Sequence, residues 1–112
     1  MAAESDEQRQ IRQEFTELVN MTPKELEEWL ATDESQSVGQ DEGGESTGHK
    51  SGRRIVQLLR RNVGEYTDDD YAHMRRVRGY INRHLAQRPS KDLETSPWRY
   101  SLMNWGHDPL AS

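Results

Sequence analysis

The chain has 112 residues, 20 Asp/Glu against 15 Lys/Arg, and a formal net charge of −5. Only 31% of residues are hydrophobic, mean hydropathy is −1.12, and there is no cysteine. These values fit one domain with a small core and exclude disulfides, thiolate metal sites and cysteine nucleophiles; no apolar run nears the roughly 20 residues that span a bilayer.

Residues 1–5 are expected to fray, with a single domain over 6–110 and a tail at 111–112. The opening Met-Ala-Ala-Glu-Ser-Asp lacks the basic and apolar regions of a secretory leader, so a soluble intracellular protein is expected. From Asp6 to Asn20, Ile11, Phe15, Leu18 and Val19 recur at helical spacing. Thr22-Pro23-Lys24-Glu25 is a helix start: a capping hydroxyl, a proline suited to the first turn and a glutamate that completes a capping box. Leu26, Trp29 and Leu30 form the inner face of that second helix.

Residues 33–52 have no apolar periodicity and carry five glycines, which predicts a long polar loop. The third helix is expected over Arg53–Val63. Ile55, Val56, Leu58, Leu59 and Val63 share one face, and Arg53, Arg54, Arg60 and Arg61 share the other. Gly64 reads as its stop. Thr67 caps a fourth helix opened by Asp68, Asp69 and Asp70 at the positive end of the helix dipole. Tyr71, Met74, Val77, Ile81 and Leu85 make its apolar stripe, with Arg76, Gly79, Tyr80 and Arg83 on the far side and Arg75 flanking them. Ser96-Pro97 repeats the cap-plus-proline start, Trp98, Leu102 and Trp105 form a short inward face, and Gly106 ends the turn. The expected fold is all-α, a small bundle of four to five short helices with a long Gly-rich loop.

Charge is divided along the chain. Residues 1–48 hold 13 Asp/Glu against 3 Lys/Arg, whereas residues 49–112 hold 7 against 12. A basic half with arginines on two helices is a candidate surface for an anionic partner. Arg53, Arg54, Arg60 and Arg61 would hold phosphates. Arg75, Arg76 and Arg83 would extend that surface, and Lys50 with a Ser51/Gly52 turn would close it. The expected partner is DNA, as a duplex read with weak sequence preference. This reading needs the guanidinium groups to converge on one uncovered surface. The same arginines also fit ordinary solvation, or pairing with the acidic half. In the rival reading, a protein-interaction adaptor, the acidic amphipathic residues 6–30 form the contact.

Chemistry beyond binding has little support. His73 and His84 lie eleven residues apart, about 16 Å along a helix, too far to share an ion. Asp68, Asp69 and Asp70 diverge around a helix and are accounted for as its start. Ser51 near His49, and Asn104 with His107 and Asp108, are groupings whose spacing forces no catalytic geometry. No catalytic set, metal or cofactor is expected.

The strings MTPKELEEWL (21–30), ESQSVG (34–39), GESTGHKSGRRIVQLL (44–59), TDDDYAHMRRVRGYINRHLAQRP (67–89) and WRYSLMNWGHDPL (98–110) resemble a small family known only as domain of unknown function 3140. Its members are often labelled DNA-binding proteins. The resemblance implies continuity of fold and a nucleic-acid ligand. It brings no catalytic residues, and it implies that the Glu45–His49 stretch is more than a linker.

Overall fold

The computed structural model describes residues 4–38 and 47–111. Among them are six α-helices: α1 (Asp6–Leu18), α2 (Pro23–Leu30), α3 (Asp33–Ser37), α4 (Thr47–Arg60), α5 (Asp68–Leu85) and α6 (Pro97–Asn104). Single 3₁₀ turns at Val63–Glu65 and Leu93–Thr95 flank α5, and none of the described residues is in a strand. No helix in this region is long and apolar enough to cross a membrane.

The helix starts follow from side-chain capping. Ser5, Thr22 and Thr67 each accept the backbone N–H three residues on, and Gln8, Glu25 and Asp70 reciprocate as capping boxes. Ser96 accepts from the Arg99 N–H, with Pro97 in the first turn. Ordered contacts begin before residue 6. Glu4 accepts hydrogen bonds from Arg12 and from the Tyr71 hydroxyl, and Ser5 caps α1.

Both ends of the expected 33–52 loop are helical, and its centre, 39–46, lies outside the described residues. Thr32 caps α3 through the Ser35 N–H. The glycine-containing run 47–52 belongs to α4 because α4 must approach its neighbours closely. A Cβ on Gly52 would stand 2.5 Å from the Asn104 carbonyl oxygen and 2.7 Å from Leu30 Cδ2. α4 stops at Arg60, three residues short of the expected Val63. Gly64 meets nothing within 4 Å and has no left-handed φ, whereas Gly106 has φ +83°, as a chain reversal after α6 requires.

α1 packs along α5 and α2 along α4, while α6 touches α2, α3, α4 and α5 and ties the pairs together. Ile11, Phe15, Leu26, Leu30, Ile55, Leu58, Met74, Val77, Ile81, Leu102 and Trp105 make one buried cluster. Polar side chains bridge α4 and α5, and that seam carries the candidate site.

Candidate functional site

The arginines of α4, with Arg61 just past its end, form two rows. Arg53 and Arg60, seven residues apart, run along the side toward α2, where Arg60 pairs with Glu27. Arg54 and Arg61 run along the side toward α5, and both reach Asp70. Between α4 and the start of α5 lies an open cleft of about 470 Å³, lined by Lys50, Arg53, Arg54, Gln57, Arg61 and Asp70. Among the described residues, four basic side chains therefore share the cleft with one carboxylate.

That carboxylate is heavily committed. Asp70 is 4% exposed. Its Oδ2 accepts the Thr67 N–H at 2.9 Å and pairs with Arg61, while Oδ1 lies 3.4 Å from Arg54 Nη2. Burial alone would raise the Asp70 carboxyl. The Thr67 N–H, Arg61 and Arg54 outweigh burial and hold it below the ordinary carboxylate range.

Beneath the cleft, Ser51 Oγ and His73 Nε2 form a buried hydrogen-bonded pair at 3.0 Å. Ser51 is 4% exposed and His73 8%. Burial pushes the His73 imidazole down to about 4, helped by the nearby positive charges of Arg54 and Arg76 and opposed by Ser51 and Asp70. The imidazole is therefore neutral at pH 7.

The expected continuous cationic surface over both helices is not what the structure holds. Arg75 pairs with Glu7 at 2.8 Å and Arg78 with Glu14 at 3.2 Å, so α1 neutralises that side of α5. Arg60 is likewise matched by α2. Arg83 lies a further turn along α5, close to Gly79. Lys50, Arg76 and Arg83 form no ion pair among the described residues. Ser51 and Gly52 do not close a phosphate-binding turn: both are buried helical residues, one bonded to His73 and the other pressed against α6 and α2. Of the ten expected contact residues, the cleft gathers Lys50, Arg53, Arg54 and Arg61.

The other groupings serve the fold. The Asn104 side chain is buried; its Oδ1 accepts from Trp29 Nε1 at 2.8 Å and from Ser35 Oγ, and its Nδ2 donates to the Ser35 carbonyl at 3.0 Å. His49 Nε2 donates to the Leu30 carbonyl and His107 Nδ1 to the Leu18 carbonyl. Arg99 holds Asp108 through two hydrogen bonds of 3.1 Å. Tyr80 stacks on Trp105 and His84 at 4.1 Å, so its ring already has neighbours on the protein. Sequence reasoning missed Asp70 and His73 as parts of the seam. The Thr67-x-x-Asp70 spacing marks the carboxylate as a cap, but nothing local tells which arginines will reach it.

An all-helical domain with a polar seam open to solvent is thus the class of protein in hand. The chain belongs to the family described as protein of unknown function (DUF3140), whose family model matches residues 14–103. Neither a curated protein nor a solved structure matches it. The matched region takes in the whole cleft and leaves out the first two turns of α1.

Proposed function

We propose that this domain is a non-enzymatic, intracellular nucleic-acid-binding module whose contact is the cleft between α4 and α5. The observation that carries this reading is the convergence of Lys50, Arg53, Arg54 and Arg61 on one open cleft, with Asp70 as the one acidic residue among its described lining. The resemblance to a family whose members are often labelled DNA-binding proteins implies the same ligand class. The contact is small. With a net charge of −5, the rest of the molecule does not attract a polyanion, so about three phosphates are engaged. Sequence preference is weak, because guanidinium and ammonium groups on phosphates position a strand without reading its bases.

The test is fluorescence anisotropy of labelled duplex and single-stranded DNA at two or more salt concentrations. Three phosphate contacts predict a log–log salt slope of about −3 on duplex and about −2 on a single strand. Combined Lys50→Ala, Arg53→Ala and Arg54→Ala substitution abolishes binding, and combined Arg75→Ala and Arg83→Ala leaves it nearly intact. Unchanged affinity in the first variant, with its helix content preserved by circular dichroism, overturns the reading.

One observation favours the adaptor reading. A groove of about 320 Å³ has Met21, Trp29 and Met103 in its lining and Glu25, Glu28 and Asp108 around them, a setting that suits a basic peptide. The apolar stripes of α1 and α2, however, are spent in the core through Ile11, Phe15, Leu26 and Leu30. Deleting the head would therefore damage the fold. Glu28→Lys separates the readings better: it weakens an adaptor's partner and leaves DNA affinity unchanged or raised.

A further inference from the structure

The groove against α2 shares no lining residue with the cleft between α4 and α5. Glu25, Glu28, Trp29 and Thr32 stand at positions i, i+3, i+4 and i+7, so one ridge of α2 and the turn after it form its wall. Met21, just before α2, and Met103 of α6 complete its apolar part. The Trp29 ring is fixed in advance: its Nε1 donates to Asn104 Oδ1 at 2.8 Å, and the ring packs on Tyr100 at 5.4 Å.

Glu28 is the unmatched charge of this wall. Glu25 spends Oε1 on the Thr22 N–H, and Asp108 is held by Arg99 through both oxygens. Glu28 is exposed and forms no ion pair among the described residues: Lys24, a turn earlier, is not paired with it, and Arg60 goes to Glu27. Residues 1–3, 39–46 and 112, outside the described part, contain no Lys, Arg or His, so no side chain there supplies a cation. Glu28 also lies in the last turn of α2, which carries no basic residue. A carboxylate there opposes the negative end of the helix dipole, and a cation beside it relieves that cost.

We propose that this groove takes a lysine side chain from a basic, extended segment of another protein. The stem lies against Met21, Trp29 and Met103, and the ammonium meets Glu28 and the second oxygen of Glu25. A space of about 320 Å³ holds a long side chain and the backbone that carries it, not a helix. Methionines adapt to an aliphatic stem, and such a stem buries itself while its head stays wet. Lysine fits better than arginine: an ammonium shares three donors among separate carboxylates, whereas a guanidinium is matched by two coplanar oxygens of one. The inference rests on the adaptor reading, whose partner it narrows, and is independent of the nucleic-acid reading.

The experiment is an NMR titration of the full chain with a peptide of four Gly-Lys repeats, the same peptide with its lysines acetylated, and its arginine counterpart. The lysine peptide shifts the Trp29 indole N–H and the Met21 and Met103 methyl signals saturably, with a dissociation constant of about 0.1–1 mM. The Met74 methyl and Trp98 indole signals stay in place. Glu28→Lys weakens binding at least about tenfold, Glu28→Gln severalfold, and Glu34→Lys leaves it nearly unchanged. The arginine peptide binds no more tightly than the lysine peptide. Unchanged affinity in Glu28→Lys, with its helix content preserved, overturns the inference. So do shifts at Glu7, Glu34 and Asp68 as large as those at Trp29, which mark a general attraction to an acidic protein. Equal shifts with the acetylated peptide overturn recognition of the ammonium and leave the adaptor reading standing; tighter binding of the arginine peptide overturns the choice of lysine. No shift at Trp29 with any of the peptides overturns both this inference and the groove's part in the adaptor reading.

Discussion

His73 gives the seam a measurable signature in stability. In an unfolded chain its imidazole titrates near 6.5. In the native protein burial, then Arg54 and Arg76, bring it down to about 4. Between those values the unfolded state binds more protons than the native one, so stability is fully present above pH 6.5 and is lost as pH falls through the window. The depression corresponds to about 3 kcal/mol over the whole window, of which about 2 kcal/mol is gone by pH 5. Carboxylates held low in the fold, Asp70 among them, lose their share at still lower pH. The assay is urea denaturation followed by tryptophan fluorescence at half-unit steps from pH 7.5 to 4.5. The native protein loses roughly 1 M in its urea midpoint between pH 7 and pH 5. His73→Gln cannot charge, and its amide can still meet Ser51; it loses most of that slope whatever it costs at pH 7. A native midpoint that is flat from pH 7 to 5, or a slope that persists in His73→Gln, would refute the account of the seam.

Other perturbations test the packing that holds the cleft in place. Asn104→Ala removes the partners of Trp29 Nε1, Ser35 Oγ and the Ser35 carbonyl and costs about 3 kcal/mol, read by the same denaturation. Gly52→Ala forces a methyl against the Asn104 carbonyl and costs about 1–3 kcal/mol, whereas Gly64→Ala, facing open space, stays within about 0.5 kcal/mol of the native protein in thermal melts. Phe15→Ala opens a cavity between α1 and the rest of the core and costs about 3–5 kcal/mol in urea, enough to show that the acidic head is part of the domain.

The helices were legible wherever the signals were local. Thr22-Pro23, Thr67 and Ser96-Pro97 mark helix starts because a capping hydroxyl and a proline act within one turn. The apolar faces of α1, α4 and α5 could be read from periodicity alone. What failed was the segment before Arg53. Gly48, Ser51 and Gly52 are poor helix formers, and the helix over Thr47–Gly52 is held by distant groups: Asn104 and Leu30 against Gly52, and His73 against Ser51. α3 carries its own signature, a Thr32 cap followed by two acids, but its five residues are too short to show a period. The arginines were visible as a face, and their partners were not. Glu7 and Arg75 are 68 residues apart, and only the packing of α1 on α5 brings them together.

The division of charge along the chain takes on a different meaning once the fold is known. The described part of the acidic first half, residues 4–38, is built into the fold beside the basic half. It supplies matched partners at two helix pairs, Glu7 and Glu14 from α1 to α5 and Glu27 from α2 to α4. Surface pairs of this kind contribute at most about 1 kcal/mol each, so α1 and α2 are held chiefly by Ile11, Phe15, Leu26 and Leu30. What the pairing does is subtract. It weakens the claim of Arg60, Arg75 and Arg78 on an external anion and leaves the seam between α4 and α5, where, among the described residues, four cations meet one capping carboxylate. A ligand's salt dependence should therefore report the cleft alone. A slope much steeper than three phosphates predict would mean that the pairs open and their arginines join in, which would make the acidic helices a mask after all.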